Sequence, residues 1–310
     1  MNAFNTLAPV FFMLILGYLA RHFEWIKPQD KNGANAIIFT VLFPILIFHL
    51  MLHAELKLAT VPIILYTLLA FVLAIFVGKL LRNFIGESRS HFARFLLPTV
   101  EGGSVALPLY LSIVGVSSNT VIFDIAGSIA AFLIIPIMVS KAAANDTSNK
   151  DLLISIIKHP FVIAIFLGLL GNIFQVANVI ASSPIAPAYE GIMAKATGPI
   201  GGMILFILGY DLKIDLETIK PLAKLALVRF SFYALVILGF FLLFPSMMAN
   251  EKFKLAVLVY FMCPTGFAMP AIISPVFKTE EDELFSATFI SLSLMVTLIV
   301  YTLIVIFMVH

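Results

Sequence analysis

Ten apolar runs of about 20 residues leave this chain little choice of fold. They fall near 3–20, 34–52, 60–81, 92–115, 119–140, 152–175, 187–211, 222–245, 254–276 and 284–309. A run of that length is what an α-helix needs to cross bilayer hydrocarbon, where lipid offers no partner to a backbone N–H or C=O. Charged residues make up 12% of the chain, about half their share in soluble domains, and mean hydropathy is +1.08. The expectation is an all-α polytopic membrane protein. Its connections are too short for a soluble domain, so a hydrolase or kinase site has nowhere to be built outside the membrane. The net charge of +2 comes without a basic cluster of nucleic-acid type. Cys263 is the single cysteine, which excludes an intrachain disulfide and a Cys-based metal site. No nucleophile–base or metal constellation is visible, so neither enzyme chemistry nor a cofactor is expected. The first run has no basic residue ahead of it and reads as a mature membrane helix, not a signal peptide.

Loop charge sets an orientation. The odd-numbered loops carry Arg21, Lys27, Lys31, Lys79, Arg82, Arg89, Arg94, Lys141, Lys150, Lys158, Lys213, Lys220, Lys224 and Lys278, whereas the even loops carry Lys57, Lys252 and Lys254. Lys and Arg mark the cytoplasmic side, so both termini are expected outside. The polar stretch Ala142 to Asp151 reads as a cytoplasmic linker, dividing the chain into 1–141, 142–151 and 152–310.

Matches between the halves suggest a repeat. Pro9 and Gly17 correspond to Pro160 and Gly168, Asn35 and Pro44 to Glu190 and Pro199, and Gly-Gly-Ser-Val-Ala-Leu-Pro108 to Pro-Thr-Gly-Phe-Ala-Met-Pro270. Five spans per half is an odd number, so the second half must be inverted. Inverted repeats with paired broken helices characterise secondary transporters, whose site lies near the midplane where the breaks meet.

The fourth run is the least helical of the ten. Pro98 and Pro108 each lack a backbone donor, and Gly102 and Gly103 are poor helix formers. Pro108 is well placed to start a second half-helix. A break of this kind in the membrane must be surrounded by protein or line a cavity. The expected site is therefore Glu101 to Pro108 facing Cys263 to Pro270. Gly102, Gly103, Ser104, Pro108, Pro264, Thr265, Gly266 and Pro270 are its substrate-binding candidates, since half-helix N-termini suit an anion and unwound carbonyls suit a cation.

The ionisable residues within the runs are functional candidates. Glu101, beside the break, could bind Na⁺ or carry a proton. Asp124 lies about a turn and a half into the fifth run, near the outer face. It reads as a helix-starting aspartate, or else as a second carboxylate sharing a cation with Glu101. Lys195 and Arg229 are the candidate counter-charges for an anion. Arg229 is close enough to the cytoplasmic side to snorkel, and Lys195 follows Glu190 at an imperfect pairing distance. His49 and His53, four apart, lack a third metal ligand and suit the interface.

Taken together these residues resemble the auxin efflux carrier family of permeases over essentially the whole chain. The resemblance rests on Pro9-Val-Phe-Phe-Met-Leu-Ile-Leu-Gly17-Tyr, Asn35 with Phe43-Pro44, the Gly-rich fourth run ending in Pro108, Pro199 with Leu208-Gly209-Tyr-Asp-Leu, and Pro264-Thr-Gly-Phe-Ala-Met-Pro270. It implies ten helices in two inverted five-helix repeats, helices four and nine broken and crossing at the midplane, and a fold shared with bile-acid sodium symporters. It also implies a bacterial cytoplasmic-membrane permease for an organic anion such as malate or malonate. Many relatives carry Asn-x-Gly before the fourth-span proline. Here that stretch begins with Glu101.

The resulting expectation is a secondary active permease for a small mono- or dicarboxylate, coupled to H⁺ or Na⁺ through Glu101 and Asp124. Its partners would be the organic anion and the lipid bilayer, with no nucleic acid; homodimeric assembly stays open. The alternatives are a cation/proton antiporter without organic substrate and a transport-inactive membrane sensor.

Overall fold

Pro44, Pro108 and Pro136 each lack the N–H that would close a helical turn, and each ring crowds the carbonyl four residues earlier. The chain answers all three in the same way. A widened π-turn stands immediately upstream, at Ile38–Leu42, Gly102–Ala106 and Ala130–Ile134, each ending two residues before its proline. In this computed structural model the described residues are 3–53, 60–115, 117–142, 158, 160–211, 219–267 and 269–309, and among them the regular structure is entirely helical.

The helices run in chain order as α1 (Ala3–His22), α2 (Pro28–Leu52) and α3 (Val61–Leu80), then α4 (Leu107–Val114), α5 (Asn119–Ile129) and α6 (Ile135–Ala142). They continue as α7 (Pro160–Ile173), α8 (Ala186–Thr197), α9 (Ile200–Asp211) and α10 (Ile219–Leu243). The last three are α11 (Glu251–Phe261), α12 (Met269–Ile273) and α13 (Glu280–Met308). Four helical stretches are long and apolar enough to cross a membrane unaided: Pro28–Leu52, Val61–Leu80, Pro221–Leu243 and Glu280–Met308. Shorter apolar helices cover Leu7–His22, Asn119–Ile129 and Val162–Ile173.

Three runs differ from unbroken spans. The fourth is unwound from Leu97 to Glu101, and the ninth from Met262 to at least Phe267. The seventh is divided between α8 and α9 at Gly198-Pro199, where proline denies α9 its first donor. The linker expected at 142–151 lies outside the described residues apart from Ala142, as do Lys57 and Lys213.

Helices from one half pack on helices from the other. α1 lies along α9, and the second part of α2 lies along α7. Glycines set both approaches. A Cβ on Gly17 would collide with the Phe206 carbonyl of α9 and come within 2.8 Å of the Tyr210 nitrogen, while one on Gly209 would collide with the Leu14 carbonyl of α1. A Cβ on Gly168 of α7 would come within 2.9 Å of the Phe48 carbonyl of α2. Small residues let helix backbones approach where lipid supplies no hydrophobic drive. Within each half α3 packs on α5, and α10 on α13. Between them, Phe71, Phe123, Phe240, Phe253 and Phe261 meet edge-on or tilted at centroid separations of 5.3 to 6.5 Å.

Candidate functional site where the two breaks cross

Unwinding a helix strands its carbonyls, and hydrocarbon cannot satisfy them. Here one side chain takes most of them. Arg229 of α10 is fully buried. Its Nη1 donates to the carbonyls of Leu97 at 2.5 Å and Leu96 at 3.4 Å. Its Nη2 donates to Thr99 at 2.9 Å and Cys263 at 3.0 Å. The guanidinium thus takes acceptors from both breaks, using the planar fork that distinguishes arginine from lysine. Tyr233, one turn along α10, donates to the Leu97 carbonyl at 3.1 Å, and its ring centre lies 4.7 Å from the guanidinium carbon. Snorkelling is therefore not what Arg229 does; the carbonyls of the crossing offer it more than a water interface would. Its two terminal nitrogens face protein acceptors in the arrangement described.

The two segments also bind each other directly. The Glu101 N–H donates to the Pro264 carbonyl at 2.8 Å, and the buried Thr265 hydroxyl donates to the Leu96 carbonyl. Thr99 sits at φ +64°, an uncommon conformation for a β-branched residue. Its buried Oγ1 has no hydrogen-bond partner. Pro98 and Thr99 together turn the chain from the end of one half-helix toward the π-turn that opens the next.

Glu101 reaches across the crossing. Its Oε2 accepts the Phe267 N–H at 2.6 Å, near the start of α12. Gly266 lies beside both groups: a Cβ there would stand in ordinary contact with Thr99 Oγ1 at 3.6 Å and Glu101 Oε2 at 3.8 Å. Asp124 meets the same segment from α5. A Cβ on Gly102 would fall on the Asp124 carboxylate, so glycine is what admits the carboxylate to the backbone. One oxygen, Oδ1, accepts the Tyr260 hydroxyl of α11 at 2.8 Å, while Oδ2 is buried without a hydrogen-bond partner. Asp124 is thus an interior residue at the crossing and not a helix-starting aspartate at the outer face. Residue counting gives its depth along the run, but only packing gives its direction.

The other candidates divide clearly. Gly103 belongs to the π-turn, and a Cβ there would strike the ring of Phe43. Pro108 and Pro264 are buried at the crossing, while Gly266 and Pro270 are partly exposed beside it. Ser104 has its backbone in the π-turn; its side chain lies outside the described residues. Lys195 is exposed near the end of α8, a helix with no buried residue that packs on α2 and α9, and it does not join Arg229 at the crossing. His49 and His53 form a small aromatic cluster with Tyr189, whose hydroxyl lies 2.9 Å from His49 Nδ1. Among the described residues no group of three or more His, Cys, Asp or Glu could hold a metal ion.

Thr99, Tyr233 and Tyr260 are part of this arrangement and escaped the sequence reading. Tyr233 had a signal, because it stands four residues from Arg229 and so shares its helix face. Chemically the crossing holds one buried guanidinium committed to carbonyls, two carboxylates on either side of Gly102, and two buried oxygens without partners. Such a centre can take up a small cation or a proton without further protein charge.

No curated protein matches this chain. A family model described as membrane transport protein matches residues 2–309, which include every element of the crossing. The chain belongs to that family of membrane transporters, the auxin efflux carriers.

Proposed function

We propose that this chain is a secondary active permease for a small organic anion, a mono- or dicarboxylate such as malate or malonate, working by alternating access with proton or sodium coupling. The observation that carries the coupling is the Asp124 carboxylate, buried beside Gly102 with Oδ2 unpartnered and Glu101 one residue away along the opposing chain. With both carboxylates ionised, Arg229 leaves the crossing one negative charge in excess, which repels an entering anion. One bound proton or Na⁺ cancels that excess. The cation would therefore bind before or together with the anion, which couples the two fluxes.

Ten spans in two inverted repeats suit this reading. The glycine pairing supports it: Gly17 and Gly168, equivalent in the proposed repeat, each seat their helix on a partner from the other half. The charge bias of the loops supports cytoplasmic odd loops and extracytoplasmic termini in a bacterial cytoplasmic membrane.

The decisive experiment is uptake of labelled malate and malonate into proteoliposomes, with pH and Na⁺ gradients imposed separately. The expected result is uptake driven by one gradient, and loss of that dependence in Asp124→Asn and Glu101→Gln. Uptake with unchanged gradient dependence in both variants would remove the coupling role. A second reading, cation/proton exchange without an organic substrate, is favoured by the commitment of Arg229 to backbone carbonyls. It predicts cation-gradient dissipation with no anion flux.

A further inference from the structure

Asp124 lies in a place built for one carboxyl group and one tyrosine, with little in it for a metal ion. Gly102 admits the carboxylate to the broken segment. On its own helix, a Cβ on Gly127 would stand 3.1 Å from the Tyr260 hydroxyl and 3.8 Å from both Asp124 Oδ1 and Phe71. A methyl group there would press on the hydroxyl, so a second glycine lets Tyr260 approach. Tyr260 is held in turn between the rings of Phe123 and Phe261, at centroid separations of 5.1 and 5.2 Å. Its hydroxyl is thereby fixed on Oδ1, and Oδ2 is the oxygen without a hydrogen-bond partner.

A hard cation stripped of its water gathers about six oxygen ligands. The unwound carbonyls would supply them, but they are already engaged. Those of Leu96, Leu97, Thr99, Val100, Cys263 and Pro264 each accept a protein donor. Four of the six accept from Arg229, whose positive charge repels a metal ion at the same oxygens. The Tyr260 hydroxyl turns its proton, not its lone pairs, toward Asp124. A proton needs a single lone pair, and Oδ2 offers one with none of these groups displaced.

Glu101 and Cys263 also act on Asp124 electrostatically, and Glu101 Oε2 is engaged by the Phe267 N–H. The other titratable groups on the elements packed against α5 stand elsewhere. α11 carries Glu251, Lys252 and Lys254 near its start, and α3 carries Tyr66, bound to the Val236 carbonyl, and Lys79 in its last turn. Tyr110 of α4 is bound to the Lys252 carbonyl, and His49 of α2 lies beside Tyr189.

We propose that the coupling ion is a proton carried on Oδ2 of Asp124, and that Tyr260 is the residue that positions the carboxylate to take it. Water on one side of the membrane gives up H⁺ and the carboxylate becomes a neutral carboxyl group. The new O–H bond breaks again toward the opposite side, returning H⁺ to water. The proposal deepens the permease reading and rests on it for the anion that moves with the proton.

Infrared spectroscopy of the full chain in lipid bilayers tests it, because a carboxylic acid C=O absorbs apart from a carboxylate. In Na⁺-free buffer the native protein should show an acid band that vanishes as pH rises. That band should be missing from Asp124→Asn, with the helical fold checked by circular dichroism, and should persist in Glu101→Gln. In Tyr260→Phe, which keeps the ring and its packing, it should move to higher frequency because the Oδ1 carbonyl has lost its donor. A native spectrum with no acid band beyond that of Asp124→Asn at any pH would overturn the proposal. So would a band unmoved in Tyr260→Phe, or one that Na⁺ removes at constant pH and ionic strength. In proteoliposomes a pH gradient should drive labelled malate or malonate uptake and a Na⁺ gradient should not. Uptake driven by Na⁺ alone sinks the proton and leaves the permease reading standing. An Asp124 band that titrates without anion uptake under any gradient sinks the permease reading and leaves the proton site standing.

Discussion

Replacing Arg229 with methionine keeps an unbranched apolar stem and removes the fork. The Leu96 and Leu97 carbonyls then keep a donor each, from Thr265 and Tyr233. The carbonyls of Thr99 and Cys263 lose the guanidinium, one in each break. A buried acceptor left without a donor costs about 1–3 kcal/mol, so the pair costs about 2–6 kcal/mol. Part of that is offset because a guanidinium no longer has to be desolvated, which places the expected loss below the middle of that range, at about 3 kcal/mol. At roughly 2–4 °C per kcal/mol, the melting temperature should fall by about 6–12 °C. Cys263 makes the assay direct. It is the only thiol, it is fully buried, and it lies in the second break, so a thiol-reactive fluorogenic dye reports the opening of the crossing itself. Arg229→Lys should fall between native and methionine, since one ammonium cannot present the planar fork to both segments. Lys195→Met should leave the melting curve unchanged. An Arg229→Met protein that melts within about 2 °C of native would refute the view that this side chain holds the two breaks together.

Gly102→Ala should abolish gradient-driven uptake, because its methyl occupies the place of the Asp124 carboxylate; Gly191→Ala, which faces open space, should transport like the native chain. Thr99→Gly removes a left-handed β-branched residue and should raise the melting temperature by about 2 °C, measured with the same dye. Tyr260→Phe deprives Asp124 Oδ1 of its donor and should cost about 1–3 kcal/mol, read as a lower melting temperature with the fold retained by circular dichroism.

Breaks were easier to foresee than what fills them. Pro98, Gly102, Gly103 and Pro108 announce a defect in a helix by their own backbone chemistry, and the unwound stretch from Leu97 to Glu101 lies among them. The π-turns were not legible. Proline forbids one hydrogen bond, but whether the chain kinks or widens depends on neighbours such as Phe43, whose ring needs the space above Gly103. Arg229 and Asp124 show the same limit for side chains. Position along an apolar run gives depth in the membrane, and at the depth of Arg229 an arginine can reach the surface. Direction comes from packing, and the Leu97, Thr99 and Cys263 carbonyls lie far from Arg229 in sequence.

The guanidinium of Arg229 has a mechanical consequence. It is borne by α10 and grips the chain just ahead of α4's π-turn and just after α11. Shearing either broken segment past the other would tear charged hydrogen bonds in a medium that offers no replacement. These bonds resist relative motion of the two broken segments. A cycle that keeps these bonds would carry α10 and the two breaks as one piece, with its slip plane where this piece meets the pairs that α1 makes with α9 and α2 makes with α7.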